Sequence, residues 1–505
     1  MSSMLWSLGK WVVEKTRGAS AEGTNLWDRF RTARTALALE DELSLAYLIG
    51  HQIDKDPALK LKKKYIGLPL RLLVLLRFVA LHTRPFSRRA RPCTFFFHAI
   101  THNQYESLKS AVQALTRDVV EFTVDPMIHW KSREKEALSC TLFFECSDLL
   151  LGSLLFWQRA PGLYLHLLKT NKQDVIDNHF NVLCLSYFYL PAYLRVLQET
   201  GCRFVVQSND HTVGNRSLRL AAEVLHRKTV YLQHASVSQL FPALMFDYVF
   251  LDGQASLDIY NLTHEPRRAA HFRPLDGKMT IILSGQKKAL ARRPNPTAQP
   301  VIGMAVNPLD DLPQMLAFLE RIVALGIPIR VRTHPAQTAA YLAALQDFSK
   351  LHPGVATVRA TDQPLIEFLQ SLSLLIAGNT SIHLEAVLVG IPAYYILFSS
   401  DTDNFDYYGY LRHGLIQPFP TEDLVSNRVE LGTLFDRAPD PAVVQYYSAT
   451  YCTIWEGQEG TLVADCLKKL ATGGTRALSL RLLSEDDRFR VFAPAAAPGP
   501  LREEA

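Results

Sequence analysis

Short apolar runs that alternate with helix-like segments constrain the fold of this 505-residue chain more than any other feature. Strands that alternate with helices indicate βαβ units and parallel sheets covered on both faces. In the first series, helices are predicted at 102–117 and 214–227, where apolar residues recur at helical spacing. Buried strands of this series are predicted at 94-TFFFHAI-100, 118-DVVEFTVD-125, 203-RFVVQS-208, 229-TVYLQHA-235 and 247-DYVFLDG-253.

A second series of the same kind follows after a stretch, 263–300, in which the pattern loosens and an interdomain connection is predicted. Its helices are predicted at 312–325, 337–351 and 364–372. Its strands are predicted at 300-PVIGMAVN-307, 328-PIRVRTHP-335, 355-VATVRA-360 and 373-SLLIAG-378. We therefore predict an α/β fold with two Rossmann-like parallel-sheet domains facing a cleft, preceded by a helical N-terminal extension.

The predicted boundaries divide the chain into five parts. They are a helical basic extension (1–90), an N-terminal Rossmann-like domain (91–275), a C-terminal Rossmann-like domain (276–440), C-terminal crossover helices (441–471) and a loosely structured tail (472–505).

Composition indicates a globular protein, with 48% hydrophobic and 20% charged residues. The net charge of +5 suits anionic partners such as phosphate groups or a membrane surface. Seven cysteines occur without a CxxC pair, which predicts reduced thiols in a reducing compartment. The N-terminal 18 residues lack the pattern of a signal peptide, and no transmembrane helix is predicted, so we expect a cytoplasmic protein.

The segment 60–92 combines apolar residues with flanking Lys and Arg. This pattern favours a helix in the interface of an anionic leaflet, and hence a peripheral position on an inner membrane. A core helix with solvated ends fits the same pattern, and both interpretations stay open.

Polar residues follow the last predicted strand in 378-GNTSIHLEA-386. Hydroxyl groups at the start of a helix suit phosphate oxygens, and Glu385 lies about one turn further on. Asn379, Thr380, Ser381 and Glu385 are therefore candidate binding residues for a phosphorylated ligand. A plain N-cap explains the hydroxyl residues equally, and Glu385 could bind a ribose or belong to a helix-packing network.

A second candidate motif is 330-RVRTHP-335, where a strand ends in His334. Arg330, Arg332 and His334 alternate with apolar residues and so share one side of the strand. His334 can donate to a phosphate or protonate a leaving oxygen, and Arg332 is a further candidate ligand-binding residue. A capping histidine is the alternative.

Two strand ends of the first series carry candidate bases. Asp210 and His211 follow one strand and His234 follows the next, with Ser236 and Ser238 nearby. His98, His102 and Asn103 give a weaker signal for an acceptor site. The chain has no GxxxxGK[ST], no GxGxxG after a strand and no HExxH, which disfavours P-loop NTPases and simple dinucleotide dehydrogenases. No cluster requires a metal.

Together, RTHP after one strand, GNTSIHLEA after a later strand and then GIPAYYI resemble the C-terminal domain of GT-B glycosyltransferases with CMP- or CDP-activated donors. Bacterial sialyltransferases and capsule Kdo transferases carry such HP and Ser/Thr motifs, and the glycerophosphotransferases of teichoic acid synthesis share the layout. The block TVYLQHASVSQLFPALMFDYVFLDGQ is similar to another motif of this group, with Ala235 where glycine is usual.

The resemblance implies that 91–275 binds the acceptor and 276–440 the nucleotide sugar. His334, Thr380 and Ser381 would hold the donor phosphate, without a divalent metal or other cofactor. Asp210, or else His234, would be the base. The implied function is transfer of a CMP-activated acidic sugar, of the Kdo or sialic type, to a bacterial surface glycan or lipid-linked acceptor, with no nucleic acid involved. A CDP-polyol phosphotransferase and a catalytically silent GT-B scaffold are the alternatives.

Overall fold

The computed structural model describes most of the chain: 25–47, 49–50, 67–84, 90–129, 139–239, 241–263, 267–287, 299–308, 310–398, 405–422, 430 and 432–495. The expectations for the lysines of 60–64 and the arginines of 88–89 concern residues outside these ranges.

Fifteen strands are present in the described ranges. In chain order they are β1 (Phe95–Ala99), β2 (Val120–Val124), β3 (Cys140–Thr141), β4 (Phe204–Gln207), β5 (Lys228–Leu232), β6 (Tyr248–Leu251), β7 (Met279–Leu283), β8 (Ile302–Val306), β9 (Ile329–Thr333), β10 (Val355–Arg359), β11 (Leu374–Ala377), β12 (Ala393–Tyr395), β13 (Gln417–Pro418), β14 (Arg481–Glu485) and β15 (Phe489–Ala493).

The described helices precede and connect these strands. They are α1 (Leu26–Leu39), α2 (Glu42–Leu45), α3 (Leu68–Leu81), α4 (His102–Gln113), α5 (Pro126–His129), α6 (Cys146–Lys169), α7 (Gln173–Leu183), α8 (Ser186–Thr200), α9 (Val213–Val224), α10 (Gln254–Leu262), α11 (Arg267–His271), α12 (Leu312–Val323), α13 (Ala339–Leu351), α14 (Leu365–Gln370), α15 (Ile382–Leu388), α16 (Gly432–Phe435), α17 (Pro441–Tyr447) and α18 (Glu459–Gly473).

The strands form two sheets. One has nine strands in the order β14-β15-β7-β6-β5-β4-β1-β2-β3, and the other has six in the order β10-β9-β8-β11-β12-β13. The pairs β1–β2, β5–β6, β6–β7 and β7–β15 are parallel, as are all neighbours in the second sheet, whereas β14 and β15 form an antiparallel hairpin. Strands such as β1 and β11 are buried at every residue, as expected for parallel strands covered on both faces. The predicted α/β class with two parallel sheets is confirmed.

The chain divides into two compact units. The first comprises 1–100, 118–205 and 211–229, and the second comprises 101–117, 206–210 and 230–505. The core of the first unit is largely helical, with α8 buried along nearly its whole length. The cores of the second unit lie on the two faces of the six-stranded sheet and around β6 and β7.

Two segments are more ordered than the sequence predicts. Within the predicted connection 263–300, the structure has a short helix, α11, and the strand β7, whose apolar run MTIIL pairs with β6 and β15. Within 472–505, predicted as a loose tail, the hairpin β14–β15 extends the nine-stranded sheet. The run MTIIL of β7 carries the same apolar signal as the strands that were predicted, so this strand could have been predicted too. The strands β14 and β15 mix charged with apolar residues, so their apolar signal is weaker.

One apolar stretch of the described chain, Gln173–Thr200, is long enough to cross a membrane by length and composition. The structure divides it into α7 and α8 and buries 89% of its most apolar window inside the protein. This burial is the pattern of core helices.

Candidate functional site

The order of the second sheet defines where a ligand would bind. The chain passes outward from β8 to β9 and β10, then returns to β11 beside β8 and continues to β12 and β13. The loops after β8 and β11 therefore leave the same edge of the sheet in opposite directions. In open α/β sheets, ligands bind in the crevice at this switch point, outside the carboxyl ends of the strands. We call the described residues of these two loops, Asn307, Pro308, Asp310 and 378–381, the switch crevice.

Asp310 and Gly378 form the floor of the switch crevice. The Asp310 carboxylate accepts hydrogen bonds from the backbone N–H (2.8 Å) and the side-chain amide (3.1 Å) of Asn307. Burial raises the pKa of Asp310 to about 6. A Cβ atom on Gly378 would lie 3.2 Å from Asp310 Oδ1 and 3.3 Å from the carbonyl oxygen of Ile396. Glycine therefore lets the two loops approach each other closely.

Asn379 fixes the next turn of the chain. Its Oδ1 accepts hydrogen bonds from the Tyr395 hydroxyl (3.3 Å) and from the backbone N–H of Tyr407 (3.2 Å). The Tyr395 hydroxyl in turn accepts from the N–H of Asp406 at 3.4 Å. Asn379 thus holds the segment 405–410, the aromatic turn, against the end of β11 and β12, and it shapes the crevice.

Thr380 and Ser381 are half-buried and face no protein partner for their hydroxyl groups among the described residues. Ser381 precedes α15 in a helical conformation and makes no side-chain cap bond, so a plain N-cap does not explain it. Because α15 has only seven residues, we do not ascribe an anion site to its N-terminus. The two hydroxyl groups are available to a ligand as donors.

His383 and Glu385 lie behind these hydroxyl groups. His383 Nε2 donates to the carbonyl oxygen of Gly378 at 2.9 Å, and burial lowers the pKa of His383 to about 4. The ring is therefore neutral and supports the backbone of the crevice. Glu385 is buried on α15 with 2% of its surface exposed, so the structure places it in the packing rather than at an open surface.

His334 follows β9, the strand next to β8, and its ring is exposed. Nδ1 accepts a hydrogen bond from the N–H of Ala336 at 3.1 Å, which requires the ring proton of the neutral imidazole to be on Nε2. Partial burial lowers the pKa of His334. Gln337 ties this loop to the crevice, since its amide donates to the carbonyl oxygen of Asn307 at 3.1 Å. His334 therefore presents a fixed N–H donor at the carboxyl edge of the sheet.

Arg332 has a structural environment. Its guanidinium donates to the carbonyl oxygens of Gln363 (2.9 Å) and Ala360 (3.5 Å) and lies over the ring of Phe368. Burial lowers the pKa of Arg332. The side chain anchors the loop after β10 instead of pointing into the crevice.

The candidate bases lie at the carboxyl edge of the nine-stranded sheet, after the neighbouring strands β4 and β5. Asp210 is buried with 3% exposure and accepts from the Tyr260 hydroxyl at 2.9 Å, which also contacts the Tyr231 hydroxyl at 3.1 Å. His234 is only half-buried. His234 is therefore more exposed to solvent than Asp210.

The aromatic turn also contacts the loop after β5. The hydroxyl groups of Ser236 and Tyr410 are 3.1 Å apart. Gln233 orders this loop, because its amide group donates to the carbonyl oxygen of Ala235 and accepts from the N–H of Asp252. Within the second unit, a continuous chain of contacts thus joins Asn379, the aromatic turn and the loop that carries His234. Tyr395, Tyr410 and His383 were not identified from sequence.

The other histidines named from sequence have different environments. His98 is buried between the Thr123 hydroxyl (2.9 Å) and the Tyr193 hydroxyl (3.1 Å), and burial lowers its pKa to about 4. His102 is exposed at the start of α4 and His211 is half-buried. Among the described residues, no group of three or more His, Cys, Asp or Glu is placed to hold a metal ion.

A larger depression, of about 730 Å³, lies at the edge strand β10, away from the switch crevice. Arg330 and Arg359 line it. Arg359 pairs with Thr333, three residues beyond Arg330, so the two arginines project from opposite faces of the sheet. They cannot clamp one anion, and we do not assign a function to this depression.

Comparisons with known proteins give a fold-level similarity only. No protein-family model matches the chain, and no curated protein matches it. Among solved structures, the calicheamicin glycosyltransferase CalG4 is 14% identical, with 77% of this chain and 100% of that chain covered and a TM-score of 0.45. UDP-GlcNAc 2-epimerase from Neisseria meningitidis is 10% identical, with coverages of 74% and 99% and a TM-score of 0.44.

The wall teichoic acid polymerase TagF is 11% identical, with 80% of this chain and 95% of that chain covered and a TM-score of 0.44. Identities and TM-scores this low establish neither a common family nor a shared activity.

Proposed function

We propose that this protein is a glycosyltransferase that takes its sugar from a nucleotide-activated donor bound at the switch crevice. The observation that carries the proposal is the presence of uncommitted donors on loops at the carboxyl edge of the second sheet, at and beside its switch point. The hydroxyl groups of Thr380 and Ser381 and the Nε2–H of His334 lie on loops that leave this edge. Such donors suit the oxygens of a phosphate group.

In the proposed reaction, negative charge develops on the phosphate of the leaving nucleotide. Hydrogen-bond donors held in position stabilise charge that develops in the transition state. His334 is held by the Ala336 N–H, so its donor needs little reorganisation when the phosphate departs. The side chains of Asn379 and Gln337 bond to the backbone of these loops and hold them in place, so we do not assign them a contact with the nucleotide.

For the donor we propose a CMP-activated acidic sugar of the Kdo or sialic type. This assignment depends on the resemblance of 330–335 and 378–386 to transferases with CMP- or CDP-activated donors. A CDP-polyol donor would use the same crevice and would yield a phosphodiester product instead of a glycoside.

For the base that deprotonates the acceptor hydroxyl, we propose His234 before Asp210. His234 is half-buried on a loop whose Ser236 contacts the aromatic turn, whereas Asp210 is buried and bound by Tyr260. The acceptor proposed is a surface glycan or a lipid-linked sugar.

A thermal-shift series with CMP, CDP, UMP, UDP and GDP tests the proposal, because a ligand that binds only the folded state raises the melting temperature. We expect a shift with the cytidine nucleotides. A shift with uridine or guanosine nucleotides alone would contradict the CMP donor but keep a nucleotide site. The absence of any shift would contradict the proposed transferase and favour a silent scaffold.

Product analysis then separates the reactions. With a CMP-sugar and a glycan acceptor, we expect a glycosidic product with release of CMP. A phosphodiester product from a CDP-polyol would replace the glycosyl transfer proposed here with phosphotransfer.

A further inference from the structure

The helix α3 carries apolar residues on its buried side and also on its exposed side. Its inner side packs into the core of the first unit through Leu72, Leu75 and Phe78. Its outer side exposes Leu73 (59%) and Leu76 (64%), together with Leu70, Val74 and Leu81. Exposed apolar patches of this kind mark interaction sites when they are contiguous. Residues 70, 73, 74, 77 and 81 follow helical spacing, so they form one stripe that includes Arg77.

The helix α6 shows the same feature. Leu151, Leu155, Leu163 and Leu167 are buried, whereas Trp157 is 74% exposed. The other exposed apolar residues of this helix are Leu154, Leu165 and Leu168. Both α6 and α3 pack against α7, so they belong to one layer of helices in the first unit.

The sequence on either side of α3 and within most of α6 is basic. Between 57 and 105, the sequence has ten Lys and Arg residues and no Asp or Glu, a surplus larger than the net charge of +5 of the whole chain. Between 149 and 173, which includes most of α6, there is again no acidic residue. The charged residues of α3 itself, Arg71 and Arg77, are therefore both basic, and α6 carries Arg159 and Lys169.

A basic cleft lies beside Trp157. It has a volume of about 480 Å³ and is lined by Arg34, Thr35 and Ala38 of α1 and by Gln158 and Arg159 of α6. Arg159 is paired with Glu42, but Arg34 makes no ion pair with any residue in the described ranges. A phosphate headgroup would find a guanidinium and hydrogen-bond donors in this cleft.

From these features we infer that the outer faces of α3 and α6 dock the protein onto an anionic lipid bilayer. Leucine side chains and a tryptophan enter the headgroup region, and the arginines and lysines contact lipid phosphates. A second copy of this chain is a poorer occupant, because a symmetric contact would bring the same positive surfaces together. The inference does not depend on the nucleotide site.

Vesicle flotation tests this inference. The intact protein is mixed with vesicles of phosphatidylcholine alone or of phosphatidylcholine with phosphatidylglycerol. We expect binding to the anionic vesicles, weaker binding to the neutral ones and a decrease with added salt, because salt screens the attraction between exposed charges. Equal binding to both kinds of vesicle, or none to either, would overturn the inference.

Substitutions locate the surface. We expect Leu73→Gln with Leu76→Gln, and separately Trp157→Ala, to weaken binding about tenfold or more, since each removes apolar area from the membrane contact. Leu351→Gln is the control, because Leu351 is 77% exposed on α13 of the second unit. The variants should keep the melting temperature and the cytidine response of the unaltered protein, which separates a failed docking surface from a failed nucleotide site.

Undiminished binding of both variants would overturn the assignment of the surface. Sedimentation tests for the remaining outcome, a contact between copies of the chain. This outcome would be shown by a protein that does not bind vesicles but forms a dimer, if the dimer dissociates when Leu73→Gln and Leu76→Gln are introduced together.

Discussion

At the scale of single residues, His334 is the clearest donor beside the switch crevice, because its Nδ1 is occupied by the Ala336 N–H and its ring is exposed. We expect His334→Ala to weaken CMP binding by about ten- to a hundredfold, since a hydrogen bond to a charged group contributes about 1.5–3 kcal/mol. Calorimetric titration measures the change. His352→Ala is the control, because His352 precedes β10 at the opposite edge of the same sheet. Equal effects of the two substitutions would contradict a specific role for His334.

Gly378 is the second residue whose substitution has a specific expected effect. A methyl group there would meet Asp310 at 3.2 Å and the Ile396 carbonyl at 3.3 Å. We expect Gly378→Ala to lower the unfolding free energy by about 1–3 kcal/mol, the usual range for overpacking, and to weaken nucleotide binding. Urea denaturation measures the stability. A Cβ on Gly354 would meet nothing within 4 Å, so Gly354→Ala should leave stability the same or slightly higher. A neutral Gly378→Ala would mean that the two loops can separate freely.

At the scale of elements, the loop after β8 should make the unfolding free energy depend on pH. Burial raises the pKa of Asp310 from 3.8 to about 6, so the folded state holds a proton that the unfolded state has lost. The stabilising effect of this proton is present below pH 4 and is lost as the pH rises through about 6, at most about 3 kcal/mol in the unfolding free energy.

Asp310→Asn should remove this step, because an amide does not ionise. Denaturant titrations at several pH values measure it, and Asp347→Asn on the exposed surface of α13 should leave the step in place. A negative charge on Asp310 also opposes a phosphate in the crevice, so nucleotide binding should tighten as the pH falls through 6. An unchanged pH profile in Asp310→Asn would contradict both expectations.

The aromatic turn is the element that joins the two sheet edges of the second unit. Tyr410→Phe and Ser236→Ala each remove one hydroxyl of the 3.1 Å contact. In a double-mutant cycle we expect a coupling of about 1 kcal/mol in the unfolding free energy, the typical net contribution of a hydrogen bond. Tyr407, which is exposed in the same turn, supplies the control through Tyr407→Phe with Ser236→Ala. A coupling near zero for Tyr410 and Ser236 would mean that the contact does not hold the turn.

The sequence allowed prediction of those elements whose signal is local. The strands β1, β4, β8 and β11 are mainly apolar runs, whereas β9 alternates apolar residues with arginine, and the bounds of all five agree with the predicted ones within one or two residues. His334, Thr380 and Ser381 could also be identified from the sequence, because each closely follows one of these strands. The order of strands in a sheet is a tertiary property, so neither the switch between β8 and β11 nor the approach of Asp310 to Gly378 could be read from spacing. Arg332 had the right position in its strand, but its partners come from the loop after β10.

At the scale of the whole molecule, the C-terminal segment is part of the fold. The hairpin β14–β15 places β15 beside β7, although slightly more than 200 residues separate the two strands in the sequence. The sequence 481-RLLSEDDRFRVFA-493 mixes charged and apolar residues, and β14, which is exposed at every residue, is the strand at the margin of the sheet. A contact between such distant segments adds long-range order to the second unit.

A substitution at Val491 measures how much the contact between β15 and β7 contributes to the unfolding free energy. Val491 is 1% exposed in β15, pairs with Ile281 of β7 and lies in the core around β6 and β7. We expect Val491→Ala to lower the unfolding free energy by about 1–3 kcal/mol, the transfer and cavity terms for a buried aliphatic side chain. Leu482→Ala is the matched control on β14, because Leu482 is 48% exposed, and it should change stability by less than about 0.5 kcal/mol. Denaturant unfolding compares the two. Equal and small effects would mean that the hairpin is a surface addition, whereas a large difference would make the last strands a structural requirement for the sheet that carries His234 and Asp210.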